Sequence, residues 1–195
     1  MDVALAALGL LFLLPALLVI AGLLMAVDGR PLFFRHKRVG RNGQEFACIK
    51  FRTMRRDADA QLAALLRTDS GAQREWAEQR KLRRDPRIHL LGRFLRFTSL
   101  DELPQLVNVL RGEMSLVGPR PIILDELGLY GENLHYYLAM TPGVTGLWQV
   151  ARTPETSYEA RVAYDVEYFH KRSVAFDLGL IWKTVLIVLC ARNVG

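Results

Sequence analysis

The chain has 195 residues, 51% of them hydrophobic, and carries 26 Lys and Arg against 20 Asp and Glu, a formal net charge of +6. That length suits one catalytic-size unit with its own core plus an appendage, and no self-similar period points to a repeat architecture. Cys48 and Cys190, the two cysteines, lie far apart without metal-ligand spacing and read as reduced apolar side chains.

In chain order, the first predicted element is an apolar anchor. Val3 to Val27 is 25 residues without a charge, long enough at the helical rise to cross a hydrocarbon core of ~30 Å. Nothing basic precedes it and its apolar part exceeds a signal-peptide core, so it is expected to remain in the protein. Pro15 stands at its middle with twelve residues on either side. Residue physics leaves two forms open, a kinked spanning helix or a re-entrant helix-break-helix whose ends emerge on one face.

The positive charge follows directly. Asp28 to Arg56 holds nine basic residues and two acids, a local +7 that leaves about −1 for the rest of the chain. Arg30, Arg35, Lys37, Arg38 and Arg41 precede the first acid of this stretch beyond Asp28, Glu45, which by the positive-inside tendency puts this side in the cytoplasm. Residues 1–28 are therefore expected to form the membrane anchor and residues 29–195 a cytoplasmic domain of catalytic size.

PLFFRHKRVGRNGQEFACIKF reads as two strands around Asn42-Gly43, a strong hairpin turn, with Lys50 and Arg52 at its exit. From Asp57 the spacing is helical, with Leu62, Leu65 and Leu66 on one face, and it continues through Trp76 to Arg84 before Asp85-Pro86 breaks it. Ile88 to Phe97 is apolar on one side and carries Arg93 and Arg96 on the other. Ser99, Leu100, Asp101 and Glu102 spell a capping box, and Leu103 to Leu110 reads as a short helix stopped by Gly112. Ser115 to Pro121 presents Arg120 between two prolines, a rigid mount for a cation. The C-terminal FDLGLIWKTVLIVLC suits either a core or a membrane interface. The expected class is α+β, mostly helical: an N-terminal membrane helix, a small β-hairpin and interfacial helices.

Two adjacent acids near several cations suggest phosphate chemistry with a divalent ion. Carboxylates are hard oxygen ligands, and Arg forks neutralise phosphate oxygens. The candidate cations are Lys50, Arg52, Arg96 and Arg120, and a helix entrance would keep Asp101 ionised.

KFRTM (Lys50 to Met54), DPRI (Asp85 to Ile88), TSLDELPQLVNVLRGEMSLVGPRP (Thr98 to Pro121) and TPGVTGLWQV (Thr141 to Val150) occur in one order along the chain. Together they resemble the bacterial sugar transferases, specifically the monotopic polyprenol-phosphate phosphoglycosyl transferases. The resemblance implies transfer of a sugar phosphate from a UDP-sugar to undecaprenyl phosphate with release of UMP, the step that opens surface polysaccharide synthesis at the bacterial inner membrane. By motif, Asp101 is the implied nucleophile and Glu102 its partner. Both would lie near Mg²⁺ or Mn²⁺, while Lys50, Arg52, Arg96 and Arg120 would hold phosphates. The re-entrant form, with Pro15 at the break, is also implied, and a homodimer is compatible with it. The long segment after KFRTM, with LWQV, resembles the exopolysaccharide and O-antigen initiating branch, often galactose or glucose transferases. Thr141 stands where the family often has Arg, and Ala151 leads directly into Arg152, so no role is assigned to Arg152.

Two rival classes fit the residues alone. One is a non-catalytic, membrane-anchored basic protein that binds nucleic acid or anionic lipid through Arg30 to Arg41; the other is a scaffold whose acid pair only caps a helix. The resemblance implies no nucleic-acid partner.

Overall fold

The computed structural model describes residues 1–79, 82, 84–153 and 155–190, so the end of the helical spacing read toward Arg84 lies partly outside the described residues. The class is α+β and mostly helical.

Helix α1 (Asp2–Asp28) is continuous through Pro15 and ends at Gly29, whose φ of 66° turns the chain. Pro15 therefore sits inside one continuous helix. A proline removes one N–H and crowds one carbonyl, and the Leu- and Ala-rich flanks keep every other residue helical. Within its apolar window only 11% is buried by the rest of the protein. Yet one stripe of the helix, Ala6, Leu10, Leu13, Leu17, Ile20 and Leu24, packs on the domain along its length. Ala6 packs with Phe46, Leu106 and Val109, Ile20 and Leu24 pack with Phe51 and Leu95, and Ser115 Oγ lies 2.5 Å from Asp2 Oδ2.

Strands β1 (Phe33–Val39) and β2 (Glu45–Phe51) form the expected antiparallel hairpin, with Val39 opposite Glu45 and Phe33 opposite Phe51. Asn42 and Gly43 take consecutive positive φ values of 56° and 77°, the conformation for which that dipeptide is suited. Helices α2 (Ala58–Thr68) and α3 (Ser70–Gln79) follow, then α4 (Leu90–Phe97), capped by His89 Nδ1, which accepts from Gly92 N at 2.9 Å. A Cβ at Gly92 would lie 2.1 Å from Thr53 O, so the glycine lets α4 approach the strand exit that carries Lys50 and Arg52.

The acids lie in a 3-10 turn, Leu100–Glu102, just ahead of α5 (Gln105–Leu110). The expected capping box does not form. Ser99 is left-handed (φ 57°) and its side chain does not cap the turn, because the Glu102 carboxylate is turned toward β2 instead. α5 is tied to that strand by buried Asn108, which donates to Ala47 O at 2.8 Å and accepts from Ile49 N at 3.0 Å.

Strand β3 (Ser115–Val117) pairs in parallel with β4 (Gly143–Thr145), a pairing the local turn signals do not reveal. Gly143 makes it possible, since a Cβ there would lie 2.1 Å from Gly118 N. Between these strands run the 3-10 segment Leu124–Asn133 and α6 (Leu134–Leu138), and after them come α7 (Leu147–Ala151), α8 (Tyr158–Lys171) and α9 (Val174–Leu189). α9 packs on the core along one face. Leu180 is buried against Val117, Met140 and Tyr168, while Val174, Leu178, Trp182 and Val185 are exposed. α4 repeats the pattern, with Leu95 buried and Leu90, Phe94 and Phe97 exposed. Cys48 is buried and Cys190 exposed, both free.

Candidate functional site

β2, the acid turn, the 119–121 segment and α7 converge on one cleft of about 850 Å³. Lys50, Arg52, Arg96, Asp101, Glu102 and Arg120 all line it, so six residues spread over 71 positions of sequence meet in one place.

They do not play equal parts. Lys50 Nζ donates to Glu102 Oε1 at 2.5 Å, the contact that replaces the cap. Arg96 Nε donates to Thr53 Oγ1 at 2.7 Å, which sets its charge near Asp101. Arg52 is committed elsewhere. Its Nη2 pairs with Asp28 Oδ2 at 2.8 Å and donates to the carbonyls of Asp28 and Gly29, binding the C-terminal end of α1, where a cation also suits the helix dipole. Through Nη2 Arg52 thus fixes the anchor against the cleft wall, and as a cleft-lining cation it stays a candidate for the donor phosphates.

Asp101 is 8% exposed on the cleft floor. Burial, and then the adjacent Glu102 charge, push its carboxyl up to about 6, against the pull of Lys50 and Arg96. Desolvation outweighs the pull of a helix as short as α5, and a carboxyl at about 6 remains mostly ionised at pH 7. Burial also pushes Glu102 up, but Lys50 and Arg120 outweigh it and hold this carboxyl below the usual range. The two acids thus differ in state: Glu102 is an ion-paired carboxylate, and Asp101 takes part in none of the ion pairs among the described residues.

Two cations in the cleft had no role assigned from sequence, Arg38 and Arg152. Burial and then the Arg120 charge lower the pKa of each, so three guanidiniums face one another across a small volume. Such mutual repulsion is relieved by a bound polyanion. Arg152 is also stacked 5.1 Å over the Trp148 ring. LWQV contains a further hint, since Gln149 lines the cleft with a buried Oε1 that no protein group among the described residues satisfies. An apolar part of the wall is formed by Phe34, Leu103, Val144, Val150 and Ile187.

Among the described residues no group of three or more His, Cys, Asp or Glu side chains could hold a metal by itself. Glu102 Oε1 is engaged by Lys50, which leaves Asp101 and the second oxygen of Glu102 as the candidate carboxylate donors of the acid pair. That donor set fits a Mg²⁺-type ion, which keeps several waters and relies on one or two carboxylates plus substrate phosphates.

Residues 1–191 match the family model described as bacterial sugar transferase. The chain is 46% identical over 192 residues to the exopolysaccharide production protein ExoY of Sinorhizobium fredii, covering 98% of this chain and 85% of that protein. It is 49% identical over 162 residues to the undecaprenyl-phosphate galactose phosphotransferase of Salmonella typhimurium, covering 83% of this chain but 34% of that one. It is also 38% identical over 197 residues to the UDP-glucose:undecaprenyl-phosphate glucose-1-phosphate transferase of Xanthomonas campestris pv. campestris, covering 96% of this chain and 38% of that protein.

Proposed function

The chain belongs to the bacterial sugar transferase family, and from that premise we propose that it transfers a sugar phosphate from a UDP-sugar to undecaprenyl phosphate, releasing UMP. The observation that carries this reading is the state of the acid pair. A buried, unpaired Asp101 stands beside a salt-bridged Glu102, on the floor of a cleft lined by Lys50, Arg38, Arg96, Arg120 and Arg152. Basic groups at this density suit a diphosphate, and the apolar wall suits the first isoprene units of a lipid phosphate.

In the proposed mechanism Asp101 Oδ attacks the phosphorus that bears the sugar. The bond from that phosphorus to the oxygen of the uridine phosphate breaks, and UMP departs with the electron pair. The lipid phosphate oxygen then attacks the same phosphorus, forming the lipid diphosphate sugar and returning Asp101 as carboxylate. Arg120 and Arg96 neutralise the phosphoryl oxygens, while Lys50 holds Glu102 ionised beside the nucleophile. A Mg²⁺ or Mn²⁺ held by Asp101 and the donor's phosphates would screen the approach of one anion to another. The sugar is proposed to be galactose or glucose, following the names of two relatives.

A nucleic-acid surface is the weaker reading. Of the Arg30 to Arg41 stretch, Arg38 turns inward onto Glu126, while Arg30, Arg35, Lys37 and Arg41 are exposed beside the anchor, where anionic lipid headgroups suit them as well as nucleic acid does. The deciding experiment incubates the protein with a panel of UDP-sugars, undecaprenyl phosphate and Mg²⁺, reading UMP and lipid product. UMP and a lipid diphosphate sugar are expected from UDP-galactose or UDP-glucose, and neither in excess chelator. No UMP from any donor, together with salt-dependent binding of nucleic acid, would sink the enzyme reading.

The anchor is proposed to lie in the inner membrane with both ends on the cytoplasmic face. Asp2 meets Ser115 and Leu24 meets Leu95 on one domain, an arrangement unavailable to a helix whose ends lie on opposite sides of a bilayer. A cysteine introduced before Val3 should react with an impermeant reagent only after the cytoplasmic face is opened. Labelling from the periplasm in intact cells would overturn the topology.

A further inference from the structure

Arg120 sits between Pro119 and Pro121, and neither proline has a backbone N–H to offer. The segment is held through its carbonyls, and four in succession are engaged. Pro119 O accepts from Gly143 N at 2.9 Å, and Ile122 O accepts from Val39 N at 2.8 Å. Between them, Arg120 O accepts from Arg161 Nη2 at 3.4 Å and Pro121 O from Arg38 Nη1 at 3.3 Å.

Both of those guanidiniums end on one carboxylate. Glu126 Oε2 pairs with Arg161 Nη1 at 3.1 Å, and Glu126 Oε1 lies 3.7 Å from Arg38 Nη1. Glu126 is fixed in turn by Tyr158 OH, which donates to Oε2 at 3.1 Å, and by Ile123 N, which donates to Oε1 at 3.4 Å. The three side chains are only 9% to 23% exposed, so the pairs are screened less than surface ion pairs. Glu126 itself does not line the cleft.

We propose that Glu126 is a positioning residue for phosphoryl transfer: through Arg38 and Arg161 it holds the carbonyls of Arg120 and Pro121 and so aims the Arg120 guanidinium at the donor phosphates. This rests on the reading of Arg120 as a phosphate clamp. The negative charge is the working feature, because Arg38 and Arg161 would otherwise repel each other across the segment they grip, and a neutral amide offsets none of that repulsion. Small displacements matter here, since a clamp moved by about 1 Å can lose on the order of 10²-fold in rate.

The test is a double-mutant cycle on kcat/KM for the UDP-sugar, with Glu126→Gln made in the natural chain and in an Arg120→Ala background. In the natural chain Glu126→Gln is expected to lower kcat/KM by about tenfold or more; after Arg120→Ala it should change it by less than about twofold, because the group it positions is gone. A general structural role would cost the same factor in both backgrounds, and that result overturns the proposal. So does full activity of Glu126→Gln in the natural chain. If Arg120→Ala alone retains natural activity, the clamp reading fails first, visibly, before Glu126 is touched. Should Glu126→Gln not fold, Glu126→Asp is read in the same cycle with the same expectation of non-additivity.

Discussion

Asp101→Asn is expected to abolish UMP release from the UDP-sugar, by on the order of 10³-fold or more, with the fold intact. Asn is nearly isosteric and loses only the ionised oxygen, so a nucleophile disappears while the packing around the 3-10 turn persists. A two-step mechanism requires UMP to appear before any lipid acceptor is added, and mass spectrometry should find a sugar phosphate on the Asp101 peptide of the natural chain and none on the variant. Glu102→Gln should retain some adduct while turning over poorly, since it removes the ion pair with Lys50 and not the attacking atom. Because burial raises the Asp101 carboxyl to about 6, the donor kcat/KM should fall about tenfold per pH unit below that value and level off above it. The same raised value gives the stability control its sign. This group's contribution to stability is lost as pH rises through about 6, so above that pH the Asn variant should be no less stable than the natural chain. If UMP release requires the lipid acceptor and no adduct is trapped, the lipid phosphate attacks directly and Asp101 is not the nucleophile.

Arg120→Ala should cost about 10² to 10³-fold in kcat/KM for the donor, about 3 to 4 kcal/mol of transition-state stabilisation. Its mount is unusually fixed, with the carbonyls on both sides engaged, so little orientation has to be gained as the phosphoryl group moves. Arg120→Lys should recover only part of the loss, because an ammonium keeps the charge but not the planar fork. Removing Arg120 also relieves its repulsion with Arg38 and Arg152, so the thermal midpoint should hold or rise while activity falls. A fall in stability proportional to the fall in activity would instead make Arg120 a structural residue.

Much of the frame was determined by the sequence alone. An uncharged run of 25 residues marks an apolar helical anchor, and the Asn42-Gly43 hairpin and the Gly112 stop follow from backbone sterics at single residues. The acid pair and four cations of the site were legible as residue types at motif spacing. These are local properties, set within a few residues by periodicity, charge and allowed φ. The tertiary structure decided what depends on distant neighbours or on solvent. It placed Lys50, rather than Ser99, against Glu102, across 52 positions, and so dissolved a capping box that local spacing favoured. It sent Arg52 to the end of α1, brought Arg38 and Arg152 into the cleft, and tied the carbonyls around Arg120 to Glu126. It also raised the Asp101 carboxyl to about 6, because a carboxyl's titration follows its desolvation, and burial exists only once β2, the acid turn and the 119–121 segment have closed around it.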